Sequence, residues 1–217
     1  MGAERPTLDE LRGTGLFARL QAFGKGFGLE EAHALQVARL ALDLFDRTAP
    51  LHQMGEPERT VLSAAAYLHD VGMSRGFKGH HKSSLQIIQS GDLGPLGDLE
   101  RRMAAGIARY HRKAHPRRKH AHFTELAPTE QESVSRLAAL LRIADSLDRE
   151  HDCAVKAVDV EMSTRRVLLR AQSARELRAE EEALRRKGRL FEELFGLRIA
   201  DDEVDAEMLA SFGSLLG

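Results

Sequence analysis

The stretch LSAAAYLHD, Leu62 to Asp70, decides how the rest of the chain is read. His69 follows Ala65 by four residues and Leu62 by seven, so a helix carrying this run places the imidazole on its apolar stripe. A titratable pair therefore points toward a core. The dipeptide alone is a weak signal in a chain rich in both residues, and His151-Asp152 is a second copy of it with no apolar stripe behind it. That copy, like His52, is read as surface.

Outward from this run the same placement repeats. His33 precedes Val37 by four and Leu40 by seven, His111 follows Ile107 by four and Ala104 by seven, and Asp145 follows Leu141 by four and Ala138 by seven. Four helical stretches each send an imidazole or carboxylate inward. Buried carboxylates and imidazoles without partners are costly, so the economical reading is convergence on one another or on a cation. Imidazole nitrogens with carboxylate oxygens and no thiolate suit a divalent ion: Mn²⁺, Fe²⁺, Co²⁺, Mg²⁺ or Zn²⁺. His80 and His81 stay open, His81 sharing a face with Leu85 and Ile88.

The chain has 217 residues, 32 Lys and Arg against 33 Asp and Glu, and 42% hydrophobic residues, enough for one large domain with a real core. No apolar run reaches the roughly 18 residues of a membrane helix, and the N-terminal MGAERPTLDELRG has no apolar signal region, so a cytoplasmic location is expected. Cys153 is the single cysteine and forms no internal disulfide. The near-neutral total hides a local field: residues 101–122 hold eight Arg or Lys, four His and no acid. Arg109, Arg112 and Lys113 flank His111, and a basic cluster beside a metal suits a phosphate-bearing ligand. Arg117 to Lys119 lack the interleaved aromatics of a single-strand binder, so nucleic acid is not the expected partner.

Apolar residues keep helical spacing to about residue 152. After it Val155, Val158 and Val160, then Val167, Leu168 and Leu169, flank Ser163-Thr164-Arg165 as a hairpin. Ala174 to Phe195 returns to helical spacing, Gly196 fits a helix C-cap, Leu197 to Ala200 suits a third strand, and the tail from Asp201 suits a short helix. The expected fold is mainly α: a helical metal-binding domain over 1–152 and a small α+β appendage over 153–217 packed on it. The glycines of 24–28 are expected to break a helix, and the apolar face of 174–195 to pack within the chain or across a homodimer.

The order His33, His69-Asp70, Asp145 resembles the HD superfamily of metal-dependent phosphohydrolases. HALQVARLALDLFD (33–46), LHDVGMSRGFKGHHKSS (68–84), IARYHRK (107–113), LRIADSLDREH (141–151) and LFEELFG (190–196) are similar to the C-terminal HD-type domain of the exopolyphosphatase/guanosine pentaphosphate phosphohydrolase family. In that family a large actin-like domain precedes this one and carries the polyphosphate-hydrolysing site. No counterpart of it stands in this sequence, so a stand-alone protein is expected. The resemblance implies an HD-type helical bundle with His33, His69, Asp70 and Asp145 as metal ligands and His81 and His111 as further candidates. Ser83 stands where many relatives carry a His, which implies one complete metal site and an incomplete second one. The expected activity is hydrolysis of a phosphate ester or anhydride in a nucleotide or polyphosphate-like substrate. Asp70 or Asp148 would orient the attacking water, and His111, if not a ligand, would act as acid or charge stabiliser. Lys82, Arg109, Arg112, Lys113 and Arg149 would neutralise phosphate oxygens. The rival expectation is a non-catalytic module that binds polyphosphate, a nucleotide or a protein, its metal site structural or vestigial.

Overall fold

A computed structural model of the chain describes residues 13–200. It is mainly helical, with a small three-stranded sheet near its C-terminal end. The helices are α1 (Gly15–Gly26), α2 (Glu31–Arg47), α3 (Ala49–His52), α4 (Glu56–Leu68), α5 (His80–Ser90), α6 (Asp98–Tyr110), α7 (Ala121–Thr124), α8 (Pro128–Ser146), α9 (Arg178–Lys187) and α10 (Arg189–Phe195), with a 3₁₀ turn at Val71–Arg75. Strands β1 (Ala157–Met162), β2 (Arg166–Gln172) and β3 (Arg198–Ala200) lie between α8 and α9 and after α10.

The apolar stripes read from the sequence are the interior of a bundle of α2, α4, α6 and α8, with α4 touching the other three. Leu40, Leu62, Leu68, Ile107, Leu137 and Leu141 are fully buried there. Their i, i+3, i+4 spacing is what turns four amphipathic faces toward one another. Among the described residues no helix is long and apolar enough to cross a membrane.

The connection from α4 to α5 is the tightest part of the bundle. Gly72 lies in the 3₁₀ turn, where a Cβ would sit 2.2 Å from the carbonyl oxygen of His80 and 2.4 Å from the amide of Ser84. Its own N–H donates to Ser84 Oγ at 3.0 Å, while that hydroxyl donates to the carbonyl of His69 at 2.6 Å. The loop after His69 is thus clamped to the first turn of α5. Gly72→Ala should cost about 2–4 kcal/mol, because the obstructing atoms are backbone and cannot rotate aside. Urea denaturation of the two proteins measures it, and an unchanged midpoint would contradict the clamp.

The hairpin forms where the period changes: β1 and β2 are antiparallel with Val160 opposite Leu169, and β3 adds parallel to β2. β1 rests on α2, and α9 and α10 rest on α8. Two expectations are corrected. The run from Ala174 is two helices, because α9 ends at Lys187 and Gly188 lies against Ile199 of β3, where a Cβ would come within 2.6 Å of that side chain. Gly24 and Gly26 lie inside α1, and the chain turns instead at Gly28, which adopts a left-handed φ of 66°. Ala183, Leu190 and Phe191 are buried, so the apolar face of 174–195 is used within the chain. Gly196 caps α10 in the left-handed conformation. The expected helix from Asp201 lies outside the described residues.

Candidate metal centre

Four imidazoles meet at one end of the bundle. His33 comes from α2, His69 from the residue after α4, His80 from the first turn of α5 and His111 from the residue after α6; all are 3% exposed or less. Each is tethered by Nδ1 to an oxygen that only accepts. His33 Nδ1 donates to Asp148 Oδ2 (2.8 Å), His69 Nδ1 to the Ala66 carbonyl (2.7 Å), His80 Nδ1 to the Phe77 carbonyl (3.0 Å) and His111 Nδ1 to the Ala108 carbonyl (2.6 Å). The proton is therefore fixed on Nδ1 in all four, and a neutral ring presents its Nε2 lone pair inward.

Those lone pairs face carboxylate oxygens, and at His80 also the Arg112 guanidinium, whose Nη1 lies 3.4 Å from Nε2. His80 Nε2 is 3.1 Å and His111 Nε2 3.5 Å from Asp70 Oδ1, and the two Nε2 atoms are 3.2 Å apart. His69 Nε2 is 3.6 Å from Asp70 Oδ2. His33 Nε2, His69 Nε2 and Asp70 Oδ1 are buried with no hydrogen-bond partner. Buried acceptors pointing at one another favour a cation between them. Two groups have the spacing to hold a metal ion, His33-His69-Asp70 and Asp70-His80-His111, and Asp70 belongs to both. The donor chemistry, imidazole nitrogen and carboxylate oxygen, fits a divalent cation.

Asp145 lies one step outside these groups. Its Oδ1 is 3.9 Å from Nε2 of both His33 and His69, and its Oδ2 is ion-paired with Lys187 of α9. Asp148 is fully buried, holds the His33 ring and the amide of Cys153, and lines neither the basic cavity nor the one beside His33. His81 is buried beside the cluster but in neither group. His151, read from the sequence as surface, stacks on His33 with ring centroids 3.6 Å apart and a 3° interplanar angle, and its Nδ1 donates to Glu30 at 2.8 Å. His52 is likewise buried, its Nε2 donating to the Phe45 carbonyl.

The centre opens on a cavity of about 440 Å³. Asp70, His80, His111 and Asp145 form its floor, and six cations stand around it: Arg112, Lys113, Arg142, Arg149, Arg186 and Lys187. Arg112, Lys113 and Arg149 were expected there. Lys82 and Arg109 do not line it, since Lys82 is exposed on α5 and Arg109 is buried over the Tyr110 ring. Arg142, Arg186 and Lys187 were not anticipated. Arg142 is held by the carbonyls of Tyr110 and Lys187, which joins α6, α8 and α9 around the cavity.

Burial lowers the His69 and His111 imidazoles, the latter to about 3, against the pull of Asp70 and Asp145. Burial also works on His33, but its bond to Asp148 and the charges of Asp145, Asp148 and Asp70 outweigh it, and its pKa is raised. Asp70 is held well below the carboxylate range: burial opposes this, and the imidazoles of His69, His80 and His111 set around its oxygens outweigh it. Asp145 is held low as well, with burial overcome mainly by Lys187.

These shifts fix the sign of the pH dependence. Below about 6.5 the unfolded chain protonates residues 69 and 111 while the folded chain refuses the protons, so their contribution falls as pH drops toward 3. The two carboxylates stabilise above about pH 4 and lose that contribution below it. His33 has the opposite sign, its contribution being complete below 6.5 and lost as pH rises through its folded pKa. Metal-free protein should therefore lose stability from pH 6.5 downward, by up to about 1.4 kcal/mol per pH unit for each net proton taken up on unfolding. Urea titrations in chelator at pH 7, 6 and 5 measure this; stability that holds or rises on acidification would refute it.

The family comparison agrees with this architecture. The family model for Ppx/GppA phosphatase, domain III, matches residues 18–191, a span that runs from α1 into α10 and contains every residue of the cluster. The chain belongs to the Ppx/GppA phosphatase domain III family.

Proposed function

We propose that the protein is a metal-dependent phosphohydrolase of the HD type, acting on a phosphate ester or anhydride. One observation carries the reading: two groups of inward-facing ligands share Asp70 and open on a cavity ringed by six cations. His33, His69 and Asp70 would hold one ion and Asp70, His80 and His111 a second, with Asp145 alongside the first. A bound divalent ion supplies Lewis acidity toward a phosphate oxygen and makes water a better nucleophile near neutral pH.

The chain's own residues do the rest. Arg112, Lys113, Arg149 and Arg186 meet the phosphate oxygens and offset the charge that grows in the transition state. Lys187 and Arg142 bring the C-terminal appendage into the cavity wall, so 153–200 belongs to the functional unit. His111 has its only N–H committed to the Ala108 carbonyl. It has no proton to give a leaving group, and its role is that of a ligand.

The test is phosphate release from monoesters, nucleotides, pyrophosphate and polyphosphate, with metal content measured on the same sample. Release that requires a divalent ion and stops on chelation supports the proposal. Stoichiometric metal with no release from any of these substrates would overturn it in favour of a binding module.

A further inference from the structure

The ligand cluster has a second opening. A cavity of about 190 Å³ also reaches it, between α2, the turn before it and the 3₁₀ turn. Its floor is His33, His69 and Asp70, the first ligand group, whereas the basic cavity stands on Asp70, His80 and His111, the second. Asp70, Met73 and His151 belong to both walls and form the ridge between them.

The two cavities differ in chemistry. The smaller one is walled by Phe27, Leu29 and Ala34, with Gly28 and Ser74 at its edge, and contains no Lys or Arg. Its one charged residue outside the ligand cluster is Glu30, whose carboxylate accepts from His151. A phosphate chain that filled the basic cavity and continued past Asp70 would meet no Lys or Arg beyond the ion of the first ligand group, and would face the Glu30 carboxylate. An uncharged organic group would instead gain apolar contact there.

Resting on the hydrolase reading, we propose that the substrate lies across this ridge, its phosphate toward the basic cavity and an uncharged organic group in the Phe27-Leu29 cavity. The substrate class is then a phosphate ester of a neutral alcohol rather than inorganic polyphosphate. In the reaction water forms a new bond to phosphorus, the P–O bond to the organic group breaks, and the proton released from water ends on the departing alcohol. The alcohol leaves through the apolar cavity, and inorganic phosphate remains among the cations.

Binding of two phosphonates that cannot be hydrolysed tests this without relying on turnover. Methylphosphonate and phenylphosphonate carry the same anionic head and differ in the organic group. Calorimetry on the full chain loaded with Mn²⁺ should show phenylphosphonate binding about tenfold tighter or more. Ser74→Trp, at an exposed position on the edge of the smaller cavity, should abolish that preference and leave methylphosphonate binding within about twofold. Phe77→Ala removes the exposed ring of the basic cavity and should leave the preference intact. Glu30→Lys should tighten tripolyphosphate binding severalfold by giving the smaller cavity a cation. Equal or undetectable binding of the two phosphonates would overturn the proposal, as would a preference that survives Ser74→Trp but disappears in Phe77→Ala. If selectivity holds and no substrate releases phosphate, the hydrolase reading fails and the subsite stands; phosphate release without selectivity does the reverse.

Discussion

Asp70→Asn should empty both ion sites at once and lower metal-dependent phosphate release by about 10³-fold or more. Asp70 is the one residue common to the two ligand groups, so its loss cannot be confined to either. Its Oδ1 stands 3.1 Å from His80 Nε2 and 3.5 Å from His111 Nε2, and its Oδ2 stands 3.6 Å from His69 Nε2. Asparagine keeps the shape and removes the charge, and its amide nitrogen has no lone pair to offer a cation. Several kcal/mol of transition-state stabilisation depend on the ions, and each 1.36 kcal/mol is a factor of ten in rate, which sets the expected magnitude. The side chain is partly exposed at the cavity floor and makes no bond that holds a helix, so the variant should keep its helical circular dichroism. Metal analysis after gel filtration, beside phosphate release, measures both effects. Two ions retained in the variant would remove Asp70 from the centre.

The helical bundle and part of its candidate metal centre were legible because one rule covered both. A residue four and seven positions from core apolars lies on the core face, and His33, His69, His111 and Asp145 all satisfied it. The rule fails at the start of α5. His81 shares its face with Leu85 and Ile88 and was a further candidate ligand beside His111, with His80 left open; α5 begins at His80, directly after a left-handed Gly79. At that first position the His80 side chain turns into the cluster, its Nδ1 held by the Phe77 carbonyl three residues before it. No periodicity in HHKSS separates the two; only the start of the helix does.

The rule also has nothing to say about irregular backbone and long-range packing. His151 and Cys153 both adopt left-handed φ angles, near 59° and 54°, and the reversal folds His151 back onto His33. A residue read as surface thereby becomes the wall of two cavities. Lys187 and Arg186 lie in a run of basic residues that reads as an ordinary helix end, and they reach the centre only because α9 packs on α8. Local charge density does not set the direction a side chain takes: Arg109 flanks His111 in sequence, but two helical positions carry it round to the Tyr110 ring, off the lining of the basic cavity. Charge composition located a basic side of the molecule, while tertiary packing selected which cations line the cavity.

Asp148→Ala should destabilise the protein by about 2–4 kcal/mol and weaken metal binding about 10- to 100-fold, although Asp148 belongs to neither ligand group. The carboxylate is fully buried and does two jobs. Oδ2 accepts from His33 Nδ1 at 2.8 Å, and Oδ1 accepts from the Cys153 amide at 2.8 Å, at the end of the reversal that carries His151. Alanine leaves two donors facing an apolar gap, and an unsatisfied buried donor costs about 1–3 kcal/mol. It also frees the His33 ring to turn, so Nε2 is no longer aimed, and removes the bond that holds the His33 pKa up against burial. Asp148→Asn separates the two functions, because one amide oxygen can accept from His33 or from Cys153 but not from both. That variant should recover either stability or affinity, not the two together. Urea denaturation in chelator reads the stability, and competition with a colorimetric chelator reads the affinity. Affinity unchanged in Asp148→Ala would mean that His33 needs no partner to face the metal, and the expectation would fail.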